Sequence, residues 1–315
     1  IRLISVLKCN AETWSLRASP LNWALGLTES VMRKDYKVQA IRGLTEKGIF
    51  NKHEWLKEAQ KHMYSSSVLN DHAQKVRQEL QAITAEANVS GTRCQSSKVV
   101  ELITQFDASS KSSLLLLSYS VEVLIKAALV CLHQYTARQD FNRLLKSKYR
   151  HNLSESAQLL SIPLTKCEFK VLERMKVMML DEARYPVTPI DTESFYQQAN
   201  KINKEVWSEI LYSKWLKVAN KIQDYVKKID SDSSNSSSVT HYTFGEGGYC
   251  VFRFGGNLPP FLIVNFTNEQ MENKENNKKD LLDLLERHAP DSAAKRYMLK
   301  IKSSLTYLDL RESKP

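Results

Sequence analysis

The sequence predicts a mainly α protein: an antiparallel helical bundle in the middle, a helical region before it and a small α+β unit after it. Three observations carry that expectation. Apolar residues recur at helical spacing through most of residues 20–229. Prolines at Ser161-Ile162-Pro163 and Tyr185-Pro186-Val187-Thr188-Pro189 cut the stretch into separate helices, since the residue before proline is disfavoured in a helix. Beyond residue 240 the apolar period falls to two, the period of a strand. At 315 residues the chain has room for two or three domains. The expected divisions are a helical N-terminal region over 1–107, the bundle over 108–229, a Ser-rich linker over 230–239 and a small α+β domain over 240–315.

Each element has its own reason. Leu21, Leu25, Leu27, Val31 and Met32 give a first helical stripe. Gly48 supplies a helix stop, and Asn51 is placed to cap the next helix with Glu54 as its capping-box partner. Val76, Leu80 and Ile83 share one stripe of a helix over 72–88, and Asn88 to Ser97, with Gly91, reads as a loop. The segment 112–137 is the most apolar helix of the chain, buried on most sides. Helices are expected over 153–160, 165–182 and 191–229. Asp230 to Ser238 is polar and reads as a flexible linker. Tyr242 and Phe244, the turn Gly245-Glu246-Gly247-Gly248, then Tyr249, Val251, Phe252 and Phe254 form a hairpin pattern. A third strand is expected over Phe261 to Phe266, charged helices around 277–288 and 291–299, and a last strand near 304–308.

Composition narrows the class. The chain is 42% hydrophobic and 25% charged. Its most apolar stretch is broken by Ser118, Ser120, Glu122 and Lys126, so it reads as a core helix and no membrane association is expected. Ile1 to Lys8 is too short and too charged for a secretory signal. Five cysteines (Cys9, Cys94, Cys131, Cys167, Cys250) stand far apart without a C-x-x-C pair, which points to reduced thiols, no zinc site and a cytoplasmic location. The net charge of +10 is concentrated in residues 111–228, which hold 19 Lys and Arg against 12 Asp and Glu. A basic domain favours polyanions, because each neutralised phosphate releases counterions. The five tryptophans, Trp14, Trp23, Trp55, Trp207 and Trp215, lie in helical contexts and read as core. No P-loop, G-x-G-x-x-G, H-E-x-x-H or G-x-S-x-G occurs, and neither cofactor nor metal is expected.

One constellation stands above this background. Glu122 and Lys126 are four apart on the apolar helix, in the order that favours an ion pair. Charges there are costly unless satisfied, so they suggest a polar groove or a partner. Arg150-His151-Asn152-Leu153 opens the next helix, where Ser154 and Glu155 can supply helix-start contacts. Ala183-Arg184-Tyr185-Pro186 then sets an arginine and a ring at a rigid turn.

Taken in order, these three motifs resemble those of the HEPN family: E-x-x-x-K-A-L on one helix, H-[DN]-L opening the next, and A-R-Y-P before the last. The resemblance covers residues 108–228. It implies a helical bundle that binds RNA or a nucleotide, acts as a homodimer or with a protein partner, and serves a prokaryotic defence or toxin–antitoxin system. Glu122, Lys126, Arg150, His151, Asn152, Arg184 and Tyr185 are then the ligand-binding candidates, and Arg150, His151 and Arg184 the catalytic ones. Catalytic members of the family are metal-independent ribonucleases that carry an arginine four to six residues before a histidine. That pair is absent: His151 follows Arg150 directly, and Arg143 lies too far back. The resemblance therefore favours a binding protein, with a ribonuclease of unusual site, or a helical scaffold, as the alternatives.

Overall fold

The computed structural model describes residues 39–43, 46–91, 96–182 and 192–311. Ten α-helices and one sheet of four strands lie among them, so the protein is mostly helical with a small C-terminal sheet. Two compact units result: Ala40–Ser237 together with residues 255–258, and the unit built on the sheet.

Two long helices, α1 (Lys52–Ser90) and α2 (Ser96–Leu132), form the spine of the helical unit. Contacts between Ser66 and Ser113, and between Glu79 and Lys98, run in opposite order along the two, which makes them antiparallel. Small buried residues recur every seven positions along α1, at Ala59, Ser66 and Ala73. They let the helices approach closely, and the Ser66 hydroxyl donates to the Ser113 carbonyl at 2.7 Å within that seam. Both helices begin well before the expected 72 and 112, and residue 107 falls inside α2. Neither contains a glycine or proline to stop it. Asn51 caps α1 by accepting from the His53 amide, while Glu54 pairs with Lys57 instead of completing a capping box.

α2 ends at Leu132, short of the expected 137. Tyr135 turns the chain with a left-handed φ of 66°, and its amide donates to the Ile41 carbonyl at 2.8 Å. Then follow α3 (Arg138–Lys146), α4 (Leu153–Leu159) and α5 (Lys166–Val177), the last opened by a Thr165/Glu168 capping box. α5 runs into a π turn, Met178–Glu182. The helix expected over 191–229 is two, α6 (Thr192–Val206) and α7 (Glu209–Lys228), parted where the Trp207 indole donates to Asp107 on α2. Leu117, Val121, Leu124 and Ala128 of α2 are fully buried, as are Ala219, Ile222 and Val226 of α7. By length and composition α2 could cross a membrane, yet 78% of its most apolar window is buried inside the fold, the pattern of a core helix.

The serine-rich stretch is built into this unit. Asp232 accepts from the Ser234 amide and hydroxyl, Ser233–Asn235 forms a 3-10 turn, and the Gly256 amide donates to the Asn235 carbonyl at 3.0 Å. Short polar side chains there bond the backbone rather than leaving it to water.

The sheet has the order β1 (Ser238–Phe244), β2 (Gly248–Gly255), β3 (Leu258–Asn265), β4 (Thr306–Asp309). β1 and β2 are antiparallel. β3 and β4 are parallel, which requires a long crossover, supplied by α8 (Asn268–Glu272), α9 (Lys278–His288) and α10 (Ala293–Lys300). Phe244, Cys250, Phe252, Leu262 and Val264 from the strands close over Leu281, Leu285 and Met298 from the helices.

Candidate functional site

Glu122 and Lys126 are one turn apart on α2, and their charges meet at 2.5 Å. Glu122 is only 6% exposed, so its carboxylate needs every partner it can find. The second comes from the connection between α3 and α4: His151 Nδ1 lies 3.1 Å from the other carboxylate oxygen. Asn152, next in sequence, donates to the Lys148 carbonyl at 2.8 Å and accepts from the Lys176 ammonium of α5 at 3.1 Å. Lys126 also stands over the Trp55 ring of α1, 5.9 Å from its centroid. Arg150 is exposed beside His151. Three helices and one connection thus converge on a single seam.

The connection is held in place by a buried histidine. His133, just past the end of α2, is fully enclosed, with Nε2 2.9 Å from the Tyr149 hydroxyl and its ring against Phe141. Tyr149 is two residues before His151, so this contact fixes the connection that carries the site. Burial pushes the His133 imidazole down to about 3, which keeps it neutral. Burial likewise pushes the Tyr149 phenol upward.

The arrangement defines a chemistry. A carboxylate beside Nδ1 takes the proton of that nitrogen in a hydrogen bond, orients the ring and leaves Nε2 for a ligand. Lys126 pairs with Glu122 and Lys176 bonds Asn152, while Lys148 and the exposed Arg150 belong to the connection that carries His151. Ser154 does not make the helix-start contact expected of it: its hydroxyl is buried without a hydrogen-bond partner, and Glu155 faces solvent. Trp55 is half-buried rather than core, whereas Trp215 is fully buried. Arg184, Tyr185, Trp14 and Trp23 lie outside the described residues.

The approach to Arg184 is nonetheless anchored. Arg174 on α5 bonds Glu205 of α6 through two nitrogens at 2.7 and 3.0 Å, and Glu182 of the π turn at 2.6 Å. Burial alone would lower its pKa, but the two carboxylates outweigh burial and hold the guanidinium charged. Arg174 and Glu182 align at a spacing of eight because the π turn takes about one residue more than the 3.6 of an α turn.

A cleft of about 430 Å³ opens where the start of α1 meets the end of α2, lined by Arg42, Lys52, His53, Gln134, Asp230 and Ser231 among others. Lys52 is buried at its floor and caps the end of α7, donating to the Lys227 carbonyl at 3.1 Å, the Ser231 hydroxyl at 3.2 Å and the Ile229 carbonyl. Burial lowers the Lys52 pKa, opposed by Cys131 and Asp230 nearby. Sequence reasoning passed over Lys52 because a lysine in a helix's first turn is ordinarily solvated. No group of three or more His, Cys, Asp or Glu suited to a metal ion stands among the described residues. Compared with known protein families, curated proteins and solved structures, the chain matches none.

Proposed function

We propose that the helical unit binds RNA or a nucleotide through its phosphates, as the HEPN domains its motifs resemble do, in a prokaryotic defence or toxin–antitoxin setting and as a homodimer or with a protein partner. The observation that carries this reading is the pair of ammonium groups at the seam, Lys126 on Glu122 and Lys176 on Asn152, beside a connection whose sequence adds Lys148 and the exposed Arg150. Four cations exceed what Glu122 can neutralise, and the excess suits a polyanion. The test is a native gel with labelled tRNA in EDTA. Wild-type protein is expected to retain the RNA, less so as salt rises. The Arg150→Ala/Lys176→Ala variant is expected to bind about tenfold or more weakly, each lost phosphate contact costing roughly 1 kcal/mol. No retention at low salt, or retention indifferent to the double variant, would refute the reading.

A second reading draws on the Glu122–His151 contact. A histidine whose Nδ1 proton is held by a carboxylate presents Nε2 as a base toward a ribose 2′-hydroxyl, and the exposed Arg150 preceding it supplies charge for the phosphate. Under it, product bands appear on the same gel without metal. His151→Ala abolishes them while retention survives.

A further inference from the structure

We infer that the binding surface continues from the His151 seam into the Lys52 cleft and seats a short single strand of nucleic acid rather than one phosphate. The inference rests on the function proposed above and specifies the ligand's extent. Glu122, Lys126 and Val130 fall on one stripe of α2, four residues apart, and Val130 lines the cleft. Eight residues of helix place the cleft about 12 Å along from Glu122, more than a single phosphate group spans. The first turn of α1 spans the gap: Lys52 and His53 line the cleft, and Trp55, two residues on, lies under Lys126. The half-buried Trp55 ring, with the Lys126 ammonium 5.9 Å from its centroid, adds an aromatic surface between two cationic ends, the combination a single strand uses.

The cleft is built to a fixed shape. Gly43, Tyr135 and Asp230 all line it, and all three have left-handed backbones, with φ of 72°, 66° and 55°. Among the lining residues Arg42 and Lys52 outweigh the single acid Asp230, and Glu46, behind Arg42, is neutralised by its own ion pair with Arg138. Lys52 has its three donors committed to the end of α7, so it contributes field, and the exposed Arg42 contributes the contact.

The test is fluorescence anisotropy with labelled oligouridylates, a dinucleotide and a hexanucleotide, on the full chain. Wild-type protein is expected to bind the hexanucleotide at least tenfold tighter than the dinucleotide. Arg42→Ala should remove most of that gain, spare the dinucleotide and lower the salt slope by about 0.7. Asp230→Asn keeps an acceptor for Gln134 and should tighten the hexanucleotide several-fold; misfolding would move both variants the same way. If both leave the hexanucleotide unchanged while Arg150→Ala/Lys176→Ala weakens it, the extended surface is wrong and the proposed function stands. If wild-type protein binds neither oligonucleotide, both fall. Polyglutamate that competes as well as a hexanucleotide would overturn the assignment to nucleic acid.

Discussion

His133 couples the stability of the helical unit to pH. An imidazole in the unfolded chain titrates near 6.5, and burial brings this one to about 3. Between those values the unfolded chain takes up a proton that the folded chain refuses. The stabilising contribution is therefore complete above pH 6.5 and is lost as pH falls toward 3. About 2–3 kcal/mol should be gone at pH 4.5, each pH unit of the window being worth roughly 1.4 kcal/mol. His241 in the sheet, also lowered by burial, adds in the same direction. Urea unfolding at pH 7 and pH 4.5 measures the loss, and His133→Gln should shrink the difference between the two pH values by about that amount. An undiminished difference in the variant would show that another group carries the acid sensitivity.

The first hairpin of the sheet depends on one missing side chain. A Cβ on Gly248 would sit 2.5 Å from the Phe244 carbonyl and 2.6 Å from Thr267 Cγ2. Backbone cannot yield as a flexible side chain can, so Gly248→Ala should cost at least about 2 kcal/mol. The urea midpoint should fall, with amide protection lost first along β1 and β2. This hairpin is also where the sequence is most legible, since Tyr242, Phe244, Phe252 and Phe254 alternate cleanly and glycines mark the turn. The long α1 was hidden for the opposite reason. Its buried seam is Ala59, Ser66 and Ala73, which close packing selects and a hydrophobic pattern does not register. The serine tract misled in a related way: Ser234 spends its hydroxyl and amide on Asp232, a local bond that composition alone cannot distinguish from solvation.

Across the whole chain, positive charge belongs to the helical middle, while residues 229–315 carry 11 Lys and Arg against 12 Asp and Glu. Charge reversal should therefore act according to place. Lys146→Glu, exposed at the end of α3 and four residues before Arg150, should weaken tRNA retention about tenfold. Lys302→Glu, exposed in the sheet unit, should leave it unchanged on the same gel. Equal losses would mean that binding follows net charge and not the seam. The centre of that seam was readable in advance, because Glu122, Lys126, His151 and Asn152 lie in two short motifs. Lys176, Trp55, Arg42 and Lys52 were not. Lys176 and Trp55 reach it from other helices, and Arg42 and Lys52 line the separate cleft, placements that only the folded packing makes.

The widened turn between α5 and Arg184 has a consequence for descent. Two turns of plain α-helix take about seven residues, while an α turn followed by a π turn takes about eight. A related chain one residue shorter between Arg174 and its glutamate would close the π turn into regular helix and still bring the two charges together. Length at this joint is thus free to change by one residue while the clamp that fixes the helix end survives.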